Sequence, residues 1–239
     1  MSSLSPRADD RSWPAMRAVR WCADVLRMFR RAPLRFYLLP LLPLAVEAAI
    51  QAIPFAGVVL SKLLVPLCSA WVLWIGDRKL RTGRFSPRAG LVALARRPRA
   101  LIVVALLSAG VFVFQCLVAM SLAGPEQALA FARGDLGGLH MGRGMVAIVL
   151  ASGVPPSLLL LFSVPRMLLD AQPLRPAWQE NLRLLRRGWR PVLVYAVLCA
   201  ALVAGFVFLP WLLLLVPLLG WFGYAAYRDV FTGRDWPGA

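Results

Sequence analysis

FYLLPLLPLAVEAAIQAIPFAGVVLSKLLVPLCSAWVLWI, residues 36–75, carries only two charges in forty positions, Glu47 and Lys62. A turn at Ile53-Pro54-Phe55 divides it near the middle. Each limb has about the 20 residues needed to cross a hydrocarbon core ~30 Å thick at ~1.5 Å per residue. The stretch therefore reads as a transmembrane hairpin. Counted from Pro54, Glu47 lies seven residues back and Lys62 eight residues on. In an antiparallel hairpin the two share a depth, roughly 10–12 Å below the turn, and are expected partners.

The rest of the composition agrees with that hairpin. The 239 residues are 60% hydrophobic with mean hydropathy +0.69, more apolar than a soluble domain of this length needs for one core. The first apolar run begins at Leu34, behind a polar and basic segment and without a small-residue cleavage site after it. The expectation is a retained span rather than a signal peptide. Cys22, Cys68, Cys116 and Cys199 are far apart and show no metal-ligand spacing, so they read as small apolar packers. Arg outnumbers Lys 25 to 2 in a chain of net charge +16, a bias that a GC-rich bacterial genome explains before phosphate recognition does.

Taken in order, residues 1–12 read as a mobile polar tail and 13–239 as a single membrane domain. From Trp13 to Arg31 a helix is expected, with Arg17, Arg20, Asp24, Arg27 and Arg31 on one face and Trp21, Val25, Leu26, Met28 and Phe29 on the other. Six spans follow, at about 36–53, 55–75, 100–123, 144–165, 191–209 and 211–227. Pro40 and Pro43 imply a bend in the first, Trp71 and Trp74 anchor the end of the second at an interface, and Gly153-Val154-Pro155-Pro156 breaks the fourth. Ser86-Pro87 opens a short helix over 87–97, and Pro176 opens one with an apolar stripe of Trp178, Leu182, Leu185 and Trp189. The connection from Glu126 to Arg143 is Gly-rich and holds His140, the one histidine. The fold class is an all-α integral membrane protein with short basic amphipathic interfacial helices on the cytoplasmic side.

With a cytoplasmic N-terminus, 24 of the 27 basic residues fall on the cytoplasmic side, Arg133 and Arg143 opposite, and Lys62 in the membrane. That asymmetry satisfies the positive-inside rule and removes the reading as a nucleic-acid binder. Three segments share one design, in which an amphipathic helix, an Arg-Arg pair and an apolar span succeed one another. The pairs are Arg30-Arg31, Arg96-Arg97 and Arg186-Arg187, and they are the expected contacts for anionic lipid headgroups, each worth up to ~1 kcal/mol near the surface.

The C-terminal Tyr227-Arg228-Asp229-Val230-Phe231, the segment NLRLLRRGWRPVLVY from Asn181 to Tyr195, and the basic helix before a proline-bearing hairpin resemble a family of uncharacterised proteobacterial six-span inner-membrane proteins. That family is similar in turn to the membrane domain attached to some bacterial glycerophosphodiester phosphodiesterases. The resemblance implies a bacterial inner-membrane location and a six-span fold, and no hydrolase activity transfers, because the phosphodiesterase catalytic domain is not in this sequence. In the C-terminal motif, Arg228 would hold the last helix at the cytoplasmic interface with Asp229 as local partner, and Tyr224 and Tyr227 would add aromatic anchoring.

Candidate site residues follow from the cost of polar groups in hydrocarbon. Glu47 and Lys62 form either a self-satisfied bridge or, with Gln51 one turn away, part of a proton or cation path. The break at Pro155 and Pro156 is a candidate cavity, with Gln51 and Gln115 as candidate polar members, although Gln115 reads first as an interhelical hydrogen-bond donor. No H-E-x-x-H, G-x-S-x-G or Walker A pattern and no aspartate cluster occurs, so neither an enzyme, a metal nor a cofactor is expected. The expected role is non-catalytic: an envelope or lipid-associated protein that binds anionic lipid or a partner through its basic face. The alternative is a small transporter or permease component that uses Glu47, Lys62 and the broken span. Partner proteins and homo-oligomerisation are left open.

Overall fold

The computed structural model describes residues 13–135 and 137–232, so the tail expected over 1–12 lies outside the described residues. Among these the chain is helical without a strand: α1 (Met16–Arg31), α2 (Pro33–Gln51), α3 (Gly57–Thr82), α4 (Pro87–Ala95), α5 (Pro98–Ala123), α6 (Pro125–Arg133), α7 (Arg143–Ala151), α8 (Val154–Leu158), α9 (Ser163–Leu169), α10 (Leu174–Arg187), α11 (Trp189–Gly205), a 3-10 turn (Pro210–Leu214) and α12 (Val216–Phe231). Proline opens α2, α4, α5 and α6, where its missing N–H would have no intrahelical partner anyway. Gly83 and Gly134 close α3 and α6 in the left-handed conformation, at φ +69° and +68°.

Four stretches are long and apolar enough to cross a membrane: α2, α3, α5, and Pro210–Phe231. Two bent pairs raise the number to six if each counts as one span: α7–α8 with α9, at 58°, and α10 with α11, at 96°. The outer faces carry exposed Ile102, Leu106, Val113 and Leu117 on α5 and Leu193 and Val197 on α11. Apolar surface on that scale is unfavourable in water and matches lipid, so the fold is that of a membrane protein.

The first hairpin forms as expected, with the chain leaving α2 at Gln51 and re-entering helix at Gly57. Gly57 lies so close to α2 that a Cβ there would sit 2.3 Å from the Ile50 carbonyl oxygen. Pro40 and Pro43 leave α2 a single helix rather than dividing it. α3 continues to Thr82, well past the end expected at Ile75, and takes Asp77, Arg78, Lys79 and Arg81 into the helix. The glycine-rich connection also contains an unexpected helix: α6 turns back from Gly124, stacks Phe131 on Phe112 of α5 at 5.9 Å, and brings Gly134 against Val58 at the start of α3.

The core is organised by α12. Trp221, Phe222, Tyr224, Ala225, Ala226, Tyr227, Arg228 and Phe231 are all buried, and α12 packs against α1, α2 and α11. α1 turns Ala18, Trp21, Asp24, Val25 and Met28 inward, so Asp24 joins the buried face whereas Leu26 is exposed. α10 buries Ala177, Asn181, Leu184 and the following Gly188 instead of the expected Trp178-Leu182-Leu185-Trp189 stripe, whose Trp189 is exposed. Ala177, Asn181 and Gly188 permit close approach with Leu184 filling the contact, and Trp178, Leu182 and Leu185 flank it half-buried.

Candidate functional site

Two polar groupings lie along the bundle, one near each end of α3. In the first, Lys62 Nζ stands 2.5 Å from Glu47 Oε1, and the Gln51 side-chain amide donates to the same oxygen at 2.9 Å. Gln51 also reaches Ser61 Oγ at 3.4 Å, and the Lys62 ammonium lies 5.8 Å from the Phe112 ring centroid. The pair expected from equal depth is thus in direct contact. The side chains keep 28% and 23% of their surface, so the bridge is sheltered without being sealed. From Lys62 to Arg78 is roughly 24 Å along α3, against a hydrocarbon core of ~30 Å. With Arg78 at one edge, Lys62 lies within about 6 Å of the other, a distance a lysine stem can reach by snorkelling.

Below the pair a cavity of about 580 Å³ opens among α2, α3, α5, α11, α12 and the segment joining α8 to α9. Glu47, Ser61 and Lys62 line one end and Trp221 and Tyr224 the other, with Pro40, Pro43 and Pro66 in the wall. Gln51, Gln115, Pro155 and Pro156 do not line it, which corrects the expected cavity. Gln115 donates its amide to the Leu150 carbonyl at 2.9 Å, the expected helix-to-helix tie. Pro155 and Pro156 open α8, and the sharp bend of the fourth span falls later, between Leu158 and Ser163. Leu160 and Leu161 of that bend face the cavity.

One side chain bridges the backbone on both sides of the bend, where the Leu161 N–H and the Ser163 hydroxyl also reach the Leu158 and Leu159 carbonyls at 3.2 and 2.9 Å. Asn181, fully buried on α10, accepts from the Phe162 N–H at 2.9 Å and donates to the Leu159 and Leu158 carbonyls at 2.9 and 3.4 Å. An amide has both donor and acceptor, so it can replace the missing helical bonds on each side of a break. Proline has the converse effect at Trp221. Pro40 has no N–H to give the Phe36 carbonyl one turn back, and the Trp221 indole N–H takes that oxygen at 2.6 Å. Gly76 makes room for the same ring: a Cβ there would stand 2.2 Å from Trp221 Cη2. The Arg187 carbonyl, freed by Pro191, likewise accepts the Trp13 backbone N–H at 3.3 Å.

The second polar grouping surrounds the C-terminal half of α12. Tyr224 donates to Asp77 at 2.8 Å, beside the Asp77–Arg81 pair, also at 2.8 Å. Tyr227 donates to Asp170 at 2.8 Å, and Arg166 joins Asp170 to Glu180 at 2.7 and 3.0 Å beneath the Phe231 ring. Asp229 accepts from Arg17 at 2.5 Å and from the Trp21 indole at 2.9 Å. Arg228 is buried, with Nε 3.3 Å from Thr232 Oγ1. These contacts correct the expectation for the C-terminal motif. Tyr224, Tyr227, Arg228 and Phe231 are core residues, and Asp229 ties α12 to α1 across the whole chain. Trp71, expected as an interface anchor, is half-buried and donates to the Pro87 carbonyl at 3.0 Å. Asp77, Arg166, Asp170, Glu180 and Asn181 escaped the site reading; the signal available was the scarcity of acids in so basic a chain, which makes each acid near an apolar span a candidate partner.

The six arginines of the basic pairs all stand at junctions between a short helix and the long one that follows. Arg30, Arg31, Arg96 and Arg186 are exposed. Arg97 is half-buried and donates to the Leu168 carbonyl, so it ties the start of α5 to α9. Arg187 is half-buried as well. Burial pushes the Cys22 thiol of α1 up, away from thiolate reactivity. Among the described residues no three His, Cys, Asp or Glu side chains are grouped to hold a metal. His140 is exposed, with its backbone N–H on Gln127 Oε1 at 2.7 Å. Neither a family model, nor a curated protein, nor a solved structure matches this chain.

Proposed function

We propose that the chain is a non-catalytic protein of the bacterial inner membrane, six-spanning with both termini cytoplasmic, that engages anionic lipid headgroups through its basic face. The observation that carries this reading is the threefold junction: α1, α4 and α10 each lead through an arginine pair into a long apolar helix, and Arg30, Arg31, Arg96 and Arg186 are exposed there. The 96° angle between α10 and α11 supports the same reading, since an α11 that crosses the membrane leaves α10 lying along its surface. The resemblance to six-span inner-membrane proteins agrees with this placement.

In mixed vesicles, Arg30→Gln/Arg31→Gln/Arg186→Gln is expected to lower the amount of phosphatidylglycerol retained by the purified protein, with unfolding temperature unchanged. At ~1 kcal/mol per near-surface arginine the ceiling is about a hundredfold in affinity, shrinking as salt rises. Unaltered retention in that variant would remove the headgroup role. The cavity beside Glu47 and Lys62 favours a second reading, a small permease component. Substrate-dependent flux in proteoliposomes that Glu47→Gln abolishes would select it.

A further inference from the structure

The cavity has the dimensions and the end chemistry of a site for one lipid chain. Along α3 its wall runs from Ser61 to Leu73, roughly 18 Å, long enough for one acyl chain and reaching past the midplane of the ~30 Å core. Along α2 it runs from Glu47 back to Pro40, roughly 10 Å, and along α12 from Val216 to Tyr224, roughly 12 Å, so α3 supplies the longest wall. At about 580 Å³ it falls within the ~300–1,000 Å³ range of small-molecule pockets. Ser69, Ser157 and Gly220 are both in the wall and exposed, which gives a chain lying against the bundle a way in.

The upper end determines which head the lipid carries. Lys62 and Glu47 together are neutral, and they stand within about 6 Å of the hydrocarbon edge on the side of the Pro54 turn. A purely anionic head would meet Lys62 but would also meet the Glu47 carboxylate. A zwitterion with a phosphate and a primary ammonium instead meets one partner for each charge, and exchanges one internal ion pair for two intermolecular ones without leaving either group unpaired. We infer that the cavity binds an ethanolamine phospholipid drawn from the leaflet at the hairpin turn, with an acyl chain between α2, α3 and α12, the phosphate on Lys62 and the ammonium on Glu47. The site is separate from the basic face, which meets the opposite leaflet.

Gly220 allows a test that preserves the fold. A Cβ there meets nothing within 4 Å, so a side chain can grow into the cavity, and replacing a helical glycine favours the helix. Full-length protein is purified from vesicles of phosphatidylethanolamine and phosphatidylglycerol, and retained lipid is quantified by mass spectrometry. Wild type is expected to keep a single ethanolamine lipid per chain. Gly220→Phe should lower it by roughly tenfold, a loss of ~1.4 kcal/mol in affinity, with unfolding temperature maintained and phosphatidylglycerol retention by the basic face intact. Glu47→Gln/Lys62→Met should keep a lipid but lose the preference for ethanolamine. Equal ethanolamine lipid in wild type and Gly220→Phe, an equal preference for the two heads in wild type, or no retained ethanolamine lipid would each overturn the inference. Loss of phosphatidylglycerol from the basic-face variant alone leaves this site unaffected, so the two readings fail separately.

Discussion

Asn181→Leu is expected to destabilise the protein by about 2–3 kcal/mol, read as a lowered unfolding temperature in detergent. The substitution fits by volume, so the loss is electrostatic. Phe162 loses the acceptor of its N–H, while the Leu158 and Leu159 carbonyls each lose one of two donors and keep the Leu161 N–H and the Ser163 hydroxyl. Each buried backbone group left without a partner costs about 1–3 kcal/mol. Within a membrane-spanning region water does not readily fill the gap, which keeps the cost near the upper part of that range. Asn181→Asp should recover only the Phe162 contact, because a carboxylate accepts and does not donate. If Asn181→Leu unfolds at the wild-type temperature, the bend between α8 and α9 is held by something other than this amide.

Trp221→Ala is expected to cost about 3–5 kcal/mol, the usual range for removing a buried tryptophan. The ring is 98% covered, sits in the space left by Gly76, and makes edge contacts with Phe36 at 5.4 Å and Tyr224 at 5.9 Å. Trp221→Phe separates the hydrogen bond from the packing, since it keeps an aromatic ring and removes the donor to the Phe36 carbonyl. It should cost roughly 1–3 kcal/mol where Pro40 is present. Pro40→Ala returns an amide N–H to that carbonyl, so the penalty of Trp221→Phe should shrink in the Pro40→Ala background. A penalty of the same size with and without the proline would show that the Phe36 carbonyl does not need the indole.

The parts of this fold that sequence made legible are those governed by length and depth. The hairpin at Pro54 and the contact of Glu47 with Lys62 follow from counting residues against membrane thickness, and the helix start at Pro87 follows from local proline chemistry. What sequence concealed depends on a partner far along the chain. Asn181 sits in a basic run, NLRLLRR, that reads as a solvated helix face, and only the broken backbone around Phe162 gives it a buried task. Tyr224 and Tyr227 look like interface anchors because tyrosine near a span end usually is one, until Asp77 and Asp170 arrive from other helices. On α10 the large apolar residues suggested the buried stripe, whereas close approach chose Ala177, Asn181 and Gly188. The cavity was misplaced for a related reason. Pro155 and Pro156 fit the first turn of α8, a position that tolerates them, so the chain bends where side chains from α10 can repair it.

The basic face has meaning only if its three arginine-bearing segments share one side of the membrane, and cysteine labelling reads this directly. Phe85→Cys, His140→Cys and Gln179→Cys, each at an exposed position, are placed singly in a chain lacking the four native cysteines and treated in intact cells with a membrane-impermeant maleimide. The six-span arrangement labels His140→Cys and leaves Phe85→Cys and Gln179→Cys protected until the cells are opened. Labelling of Gln179→Cys from outside would mean that α7–α9 does not cross, would set the arginines of α10 on the opposite face from those of α1 and α4, and would contradict the reading.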